Sequence, residues 1–264
     1  DIVVKEMVKV MKAQGITNVS LDATHIPESF LKLRFPNIIA KLRENGFNLH
    51  TDLIKVFPAA HYLNGGIETD LKGNTDIKGL YACGECAATG AHGANRLASN
   101  SLIEGLVFGW EISKEVIAKA GKRSDLKIEN TLKHLEKIIA KNAKNCKKTS
   151  SDGDQVKFIE SLIDSFRHIM SHAVGIHRDA ESLQEAQDFI EQTLKNNDFY
   201  NINNIRAVEF LNMLTVGSVI IKAARLRKES RGTHQRDDYP LKDDKNWKKH
   251  IILKGDNVEF EPVT

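Results

Sequence analysis

The stretch GECAATGAHGANRLASNS, residues 84–101, sets one arginine, one histidine and one glutamate among small residues. A backbone rich in glycine and alanine can approach a flat or charged ligand closely. Arg96 can hold a carboxylate or phosphate through two parallel hydrogen bonds, and His61 and His92 can supply further donors. The alternative is a tight packing site between a helix and a sheet, and composition alone leaves the two interpretations about even.

The apolar segment SNSLIEGLVFGWEISKEVIAKAG follows this stretch, and its pattern predicts a helix that ends at Gly121. Ser99 or Asn100 is suited to be its N-cap. The first turn of a helix presents unpaired N–H groups and the positive end of the dipole. We therefore expect a strand, a glycine-rich loop and a helix N-terminus that face an anionic or electron-rich ligand. The chain contains no G-x-G-x-x-G and no Walker motif, so we expect no dinucleotide fingerprint of its own.

Hydrophobic periodicity predicts a mostly helical chain with a few strands. The predicted strands are NVSLD (18–22), LIKVF (53–57) and two β-like runs, GGIETD and GLYACGE. The predicted helices cover 2–14, two short pieces of 27–46 split at Pro36, Leu126 to Asn142, 155–173, 176–196 and 202–228. The later helices, long and joined by short turns, predict an antiparallel bundle, and the stretch from Arg231 onward is predicted to be polar and irregular.

Composition bounds the kind of protein and its partners. Of the 264 residues 41% are hydrophobic and 28% charged, which is typical of a soluble globular protein with a real core. Its 38 basic and 35 acidic residues leave a net charge of +3, too small an excess to indicate a nucleic-acid partner. Three cysteines argue against a disulfide framework and for a reducing compartment. With no signal peptide and no apolar run of spanning length, we expect a cytoplasmic protein without a membrane partner.

Two cysteines form a C-x-x-C pair, Cys83 and Cys86. A thioredoxin-like or zinc-binding use is one interpretation, but zinc needs two more ligands, and Cys146 is far along the sequence. We interpret both as buried small apolar residues and predict no metal site.

The run PAAHYLNGGIETDLKGNTDIKGLYACGECAATGAHGANRLASNSLIEGLVFG, residues 58–109, closely resembles the flavoprotein family of L-aspartate oxidase, succinate dehydrogenase and fumarate reductase. The shared motifs are HY-x-x-GG, GLYA-x-GE, HGANRL and NSL-x-E, in that order. PAAHY and TGAHGANRLASNS resemble the L-aspartate oxidase members most. The similarity extends to DIVVKEM (1–7), MSHAVGIHRDAESLQEA (170–186) and RKESRGTHQRDDYP (227–240). It covers nearly the whole chain, but only the C-terminal portion of the family's protein.

The resemblance implies the fold. We expect an α/β (α+β) remnant of a capping domain and an FAD-binding domain, followed by a C-terminal antiparallel helical bundle. Residues 1–60 would complete the capping domain, 61–120 would be the returning segment of the FAD-binding domain, and 121–264 would be the bundle with its tail. The chain would dock on the family's N-terminal FAD domain, which carries the dinucleotide fingerprint.

The resemblance also implies roles for single residues. His61 and Arg96 match the family's substrate-binding histidine and carboxylate-binding arginine; their alternatives are a core or capping histidine and a surface ion pair. Glu85 matches the acidic residue that binds the ribityl chain of the flavin, and Ser101 and Leu102 match the backbone donors facing the isoalloxazine ring. The alternative for Glu85 is a solvated carboxylate, and the alternative for Ser101 and Leu102 is an ordinary N-cap.

Other residues receive supporting roles. We expect His92 to support the site rather than to react. Arg231, His234 and Arg236 would make salt bridges that dock the bundle onto the flavin domain, although they could instead reach the active-site edge. The family's catalytic arginine is expected immediately before Asp1, so this chain would hold no catalytic residue. We expect it to be inactive alone.

The implied activity is FAD-dependent oxidation of L-aspartate to iminosuccinate, with O2 or fumarate as electron acceptor, at the first step toward quinolinate and NAD. One alternative is a fumarate reductase or succinate dehydrogenase flavoprotein acting on another dicarboxylate. A second alternative is a non-catalytic helical interaction fragment.

Overall fold

The computed structural model describes residues 2–120, 152–197, 199 and 204–263. The chain divides into two compact units, residues 1–59 and 60–264. The predicted helix Leu126 to Asn142, Cys146 and the predicted domain boundary at 120/121 lie outside the described residues.

The first unit contains three helices and one pair of strands. Two of the helices meet at Phe35, whose extended φ of −130° ends one helix, and Pro36 opens the next as its first residue. Strand β1 pairs antiparallel with β2, with Val19 opposite Val56. A small core of Ala23, Leu31 and Leu49 lies inside this unit. The elements are α1 (Ile2–Gln14), β1 (Val19–Leu21), α2 (Glu28–Arg34), α3 (Pro36–Glu44) and β2 (Ile54–Val56).

The second unit begins with little regular structure. Strand β3 (Ile67–Glu68) pairs in parallel with β4 (Ala87–Ala88). The predicted β-like run GLYACGE instead contains a 3₁₀ turn, Gly84–Cys86, and its Tyr81 forms an isolated β-bridge with Asn74. The predicted apolar helix is confirmed as α4 (Asn100–Ala120).

Three helices enclose the main core. They are α5 (Asp152–Ala173), α6 (Ala180–Asn196) and α7 (Ile205–Leu226). Buried side chains from all three, including Ile163, Ile190 and Phe210, form one cluster. Helix α6 begins four residues later than predicted because Asp179 caps it: its carboxylate accepts the Ser182 N–H over 2.8 Å. The antiparallel order of a bundle stays a prediction.

Helix α7 contradicts the expectation that the chain contains no apolar run long enough to span a membrane. Among the described residues it is the one helix long and apolar enough to cross a membrane by length and composition. Its buried residues, among them Phe210, Leu214 and Ile221, belong to the core cluster. A core helix meets the same length criterion, since burial among other helices also requires an apolar surface.

The segment from Arg231 onward is more regular than predicted. Strand β6 (Gln235–Arg236) pairs in parallel with β5 (His177–Arg178). After the short helix α8 (Asp244–Trp247), strands β7 (Lys249–Lys254) and β8 (Asn257–Pro262) form an antiparallel hairpin. Gly255, with a φ of +60°, supplies the left-handed residue of the turn between them.

Candidate active site

One hydrogen bond joins the segment that follows His61 to the 3₁₀ turn. The backbone N–H of Leu63 donates to Glu85 Oε1 over 3.2 Å. The Glu85 side chain is otherwise exposed, so its second oxygen remains open to a ligand. This contact holds the HY-x-x-GG segment against the GLYACGE segment, which are separated along the chain.

Arg96 lies between that segment and the start of α4. Its guanidinium carbon lies 4.3 Å from the centre of the Tyr62 ring, and Nη1 donates to Ser101 Oγ over 3.2 Å. Arg96 Nε is buried yet makes no hydrogen bond within the part of the chain that the structure describes. A buried donor without a partner is uncommon in folded proteins. The free Nε therefore gives the guanidinium an unused hydrogen-bonding edge of the kind that binds carboxylates.

The structure brings three of the five predicted site residues into one network. Arg96 contacts Ser101 directly, and Glu85 binds the residue after Tyr62. His61 is exposed beside Tyr62, and Leu102 is exposed in the first turn of α4. Their assigned roles stay predictions.

The described residues fit a flat, electron-rich cofactor. A Cβ on Gly66 would lie 2.4 Å from the Cys86 carbonyl oxygen, so only glycine permits this close approach of two backbones. The first turn of α4, which holds Ser101 and Leu102, leaves backbone N–H groups without partners within the helix. These groups and the open oxygen of Glu85 are donors and an acceptor suited to the ring and the ribityl chain of a flavin.

Three further residues of the site, Glu104, Thr89 and Tyr62, received no role from the sequence. Glu104 is buried in α4 and accepts hydrogen bonds from the Thr89 hydroxyl and, over 2.7 Å, from His92 Nε2. Tyr62 contacts both His92 and Arg96. The signals available were the tyrosine directly after His61 and the carboxylate of the NSL-x-E motif at the start of α4.

Burial raises the pKa of the Tyr62 phenol, and the negative charges of Glu104 and Glu85 raise it further. The phenol therefore stays neutral beside the arginine.

The C-x-x-C pair differs from the prediction. Cys86 is exposed and Cys83 is half-buried, and the Cys86 thiol lies 3.4 Å from the Cys83 carbonyl oxygen. The 3₁₀ turn over Gly84–Cys86 directs the second thiol outward. Within the described ranges, no cluster of three His, Cys, Asp or Glu side chains could hold a metal ion.

The segment 227–240 reaches the site through Gly232 and through the backbone and hydroxyl of Thr233, rather than through its charged groups. A Cβ on Gly232 would lie 2.2 Å from the Ala94 carbonyl oxygen, and the Thr233 N–H donates to that oxygen over 2.9 Å. Thr233 Oγ1 also accepts from the Asn64 amide over 3.2 Å. The turn after Ser230 therefore presses on the loop that carries Arg96.

The charged groups of this segment bind nearby residues. Arg231 pairs with Glu229 and Asp244, and Arg236 pairs with Asp238. His234 Nδ1 accepts from Arg178 over 2.9 Å. The contacts of Arg231, His234 and Arg236 thus join the C-terminal segment to itself and, through His234, to Arg178.

Two family models match separate parts of the chain. A model described as an FAD binding domain matches residues 1–102, and one described as the fumarate reductase flavoprotein C-terminal part matches residues 163–264. The second begins inside α5 and runs through the hairpin.

Individual relatives agree with the family models. L-aspartate oxidase of Streptomyces coelicolor is 34% identical over 261 residues, which cover 96% of this chain and 43% of the relative. The fumarate reductase flavoprotein subunit of Haemophilus influenzae is 34% identical over 267 residues, covering 95% of this chain and 44% of the relative.

A solved structure of E. coli quinol fumarate reductase matches with a TM-score of 0.79 and 28% identity, over 97% of this chain and 47% of that one. The chain spans less than half the length of each of these relatives. The matches extend across both units. The chain therefore belongs to the flavoprotein family of succinate dehydrogenase, fumarate reductase and L-aspartate oxidase, whose cofactor is FAD.

Proposed function

We propose that this chain is the C-terminal portion of a cytoplasmic, FAD-dependent L-aspartate oxidase. The reaction converts L-aspartate to iminosuccinate, with O2 or fumarate as electron acceptor, and it begins the route to quinolinate and NAD. Relatives named L-aspartate oxidase, at 34–36% identity, support this choice, as do the PAAHY and TGAHGANRLASNS sequences.

The observation that carries the proposal is the free edge of Arg96. Its guanidinium is fixed by Tyr62 and Ser101, while its buried Nε has no partner among the described residues. A dicarboxylate satisfies that donor, because a carboxylate accepts two parallel hydrogen bonds from a guanidinium. His61 donates to the second carboxylate of the same substrate.

Each of the five predicted site residues then has one role. Arg96 and His61 hold the two carboxylates and so fix the position of the substrate Cα. The N-terminus of α4, at Ser101 and Leu102, stabilises negative charge on the isoalloxazine ring of the flavin. Glu85 orients the ribityl chain of the same cofactor. The chemistry that bound FAD supplies is acceptance of a hydride from Cα and delivery of two electrons to O2 or fumarate.

The reaction balances without a further reagent. The Cα–H bond breaks and its electron pair leaves with the hydrogen, the amino group loses a proton, and a C=N bond forms. With O2 the two electrons and two protons end in hydrogen peroxide, and with fumarate they end in succinate. We assign the proton transfer to the arginine expected immediately before Asp1, outside this chain.

Helix α4 supports a further part of the proposal, docking on the N-terminal part of the FAD domain. Leu102 and Leu106 are each 75% exposed and Trp110 is 66% exposed, along a helix rich in apolar residues. A contiguous apolar patch on a water-facing surface often marks an interaction site. The partner surface would be the domain that carries the dinucleotide fingerprint.

The test compares two substrates with the full-length protein loaded with FAD. L-aspartate should drive peroxide formation in air, and succinate with a redox dye should give little turnover. Succinate–dye turnover without aspartate turnover would instead identify a succinate dehydrogenase or fumarate reductase flavoprotein. Full-length protein that binds no FAD and turns over neither substrate would identify a non-catalytic interaction protein.

A further inference from the structure

A buried histidine–carboxylate pair lies beside the tyrosine that contacts Arg96. Glu104 is only 6% exposed, and its carboxylate binds the Thr89 hydroxyl and His92 Nε2, the latter at 2.7 Å. The side chains of His92 and Glu104 are 9% and 4% exposed. Both residues thus lie largely out of water, one in the loop that carries Arg96 and one in α4.

Such a pair is a poor way to stabilise a helix. Burying an ionisable side chain carries a desolvation cost of several kcal/mol, and apolar residues of similar volume often give equal or greater stability. The neighbours of Glu104 along α4 include the apolar residues Ile103 and Leu106, so a buried carboxylate is unusual in this part of the helix. A role besides stability therefore accounts better for a carboxylate at position 104.

The pair is connected to Arg96 through one aromatic ring. His92 meets Tyr62 edge to face, with ring centres 5.4 Å apart and planes at 89°. The Arg96 guanidinium carbon lies 4.3 Å from the centre of the same ring. Apart from this contact, Arg96 makes one hydrogen bond among the described residues, from Nη1 to Ser101 Oγ. The ring of Tyr62 therefore sets the plane of the guanidinium.

We propose that Glu104 and His92 are positioning residues: they fix the Tyr62 ring, and through it the orientation in which Arg96 receives the substrate carboxylate. The proposal rests on the proposed function, since it assigns Arg96 to a dicarboxylate. Loss of the pair lets the ring turn, and the guanidinium then meets the carboxylate with one hydrogen bond instead of two. Substrate affinity falls, while the hydride step of correctly bound substrate changes less.

The test measures KM and kcat for L-aspartate in the full-length, FAD-loaded protein. Glu104→Gln should raise KM about tenfold, or about 1.4 kcal/mol, and lower kcat less. The matched control is Glu111→Gln, the same change on the same helix at a surface ion pair with Lys114. It should leave KM unchanged.

A second pair of variants keeps the test valid if Glu104→Gln folds poorly. Tyr62→Phe retains the ring and should raise KM less than Tyr62→Leu, which removes it. If Glu104 acts through Tyr62, Glu104→Gln should add little to the effect of Tyr62→Leu in the double variant, because residues that share one contact are not additive.

The outcomes separate this inference from the proposed function. A wild-type protein that does not oxidise aspartate sinks the proposed function. An active wild-type protein overturns the inference alone if Glu104→Gln and Glu111→Gln have equal KM values, or if Tyr62→Phe and Tyr62→Leu do. Full additivity in the double variant also overturns it.

Discussion

The backbone N–H of Thr233 donates to the carbonyl oxygen of Ala94 over 2.9 Å. The two residues are distant in sequence, one in the C-terminal segment and the other two residues before Arg96. The Thr233 hydroxyl donates to the same oxygen over 3.1 Å. The loop that carries Arg96 is thus bound both by α4 and by the C-terminal segment. Substitutions in the C-terminal segment should therefore change the position of Arg96.

Gly232→Ala should weaken both folding and substrate binding. Gly232 has a φ of +58°, and a Cβ there would meet the Ala94 carbonyl oxygen at 2.2 Å. The left-handed conformation alone costs about 1–2 kcal/mol for a residue with a Cβ, and the collision adds to it. We expect a lower melting temperature and a higher KM for aspartate, measured by thermal unfolding and steady-state kinetics.

Gly255→Ala is the matched control for this change. Its φ is +60° and a Cβ there meets nothing within 4 Å. It should cost only the backbone strain and leave KM unaltered. Equal KM values for the two variants would show that the contact with Ala94 does not support the site.

His234 should make stability depend on pH between about 6.5 and 4. Burial first, and then the charge of Arg178, lowers the pKa of His234 from 6.5 to about 4. Nδ1 accepts from Arg178, so the folded protein holds the ring neutral. Below pH 6.5 the unfolded chain takes up the proton and the folded chain does not, so stability falls as pH drops toward 4, by up to about 3 kcal/mol.

His234→Gln should flatten this pH dependence in melting temperatures recorded from pH 7 to pH 4. Exposed His168→Gln is the control and should leave the slope as it is. A wild-type melting temperature that is constant over that range would contradict the assignment.

Glu229 should make the stability of the fold depend on pH in a separate, more acidic range. Burial alone would raise the pKa of this carboxyl, but hydrogen bonds from Arg231, the Asp243 N–H and Arg227 together hold it below its usual value. The resulting stability is complete above the pKa of the unfolded chain, about 4.3, and is lost as pH falls through the lower folded value.

Glu229→Gln should destabilise the protein by about 3 kcal/mol at neutral pH, because two arginines lose a buried partner. Glu261→Gln, at an exposed position of β8, should change stability little. Urea unfolding at pH 7 compares the two variants, and equal midpoints would contradict the role of the cluster around Glu229.

Residues 1–264 purified alone should bind FAD weakly and show no turnover. The proposed function places only part of the flavin site on this chain, and α4 carries exposed apolar residues such as Leu106, which is 75% exposed. An absorbance spectrum before and after addition of FAD, together with a peroxide assay, measures this. Tight, stoichiometric flavin binding by the isolated chain would contradict the expectation, and the full-length protein serves as the positive control.

Helices and strands that depend only on neighbouring residues were predicted well from the sequence. The helix over 2–14 is α1 (Ile2–Gln14), because its apolar spacing has one period throughout. The split at Pro36 is present because proline fixes its own φ and restricts the residue before it. Strands at 18–22 and 53–57 are also confirmed in shortened form.

Features that depend on distant partners were missed. The hairpin of β7 and β8 is rich in charged residues, and its alternation is weak, so it resembled a tail. Spacing could not show that Arg231 binds Glu229 and Asp244 rather than the flavin segment. Spacing also could not show that Glu104 is buried, since its partners Thr89 and His92 come from a loop without periodicity.

The most direct test of the central claim is anaerobic mixing of the full-length, FAD-loaded protein with L-aspartate while the visible flavin absorbance is recorded. In the wild-type protein the absorbance should fall in a single turnover and recover on admission of O2, with formation of peroxide. In Arg96→Gln the same fall should require at least about a hundredfold more aspartate, since a charged, bidentate contact is lost. Wild-type flavin that stays oxidised with aspartate, or an Arg96→Gln protein with the wild-type concentration dependence, would contradict the account.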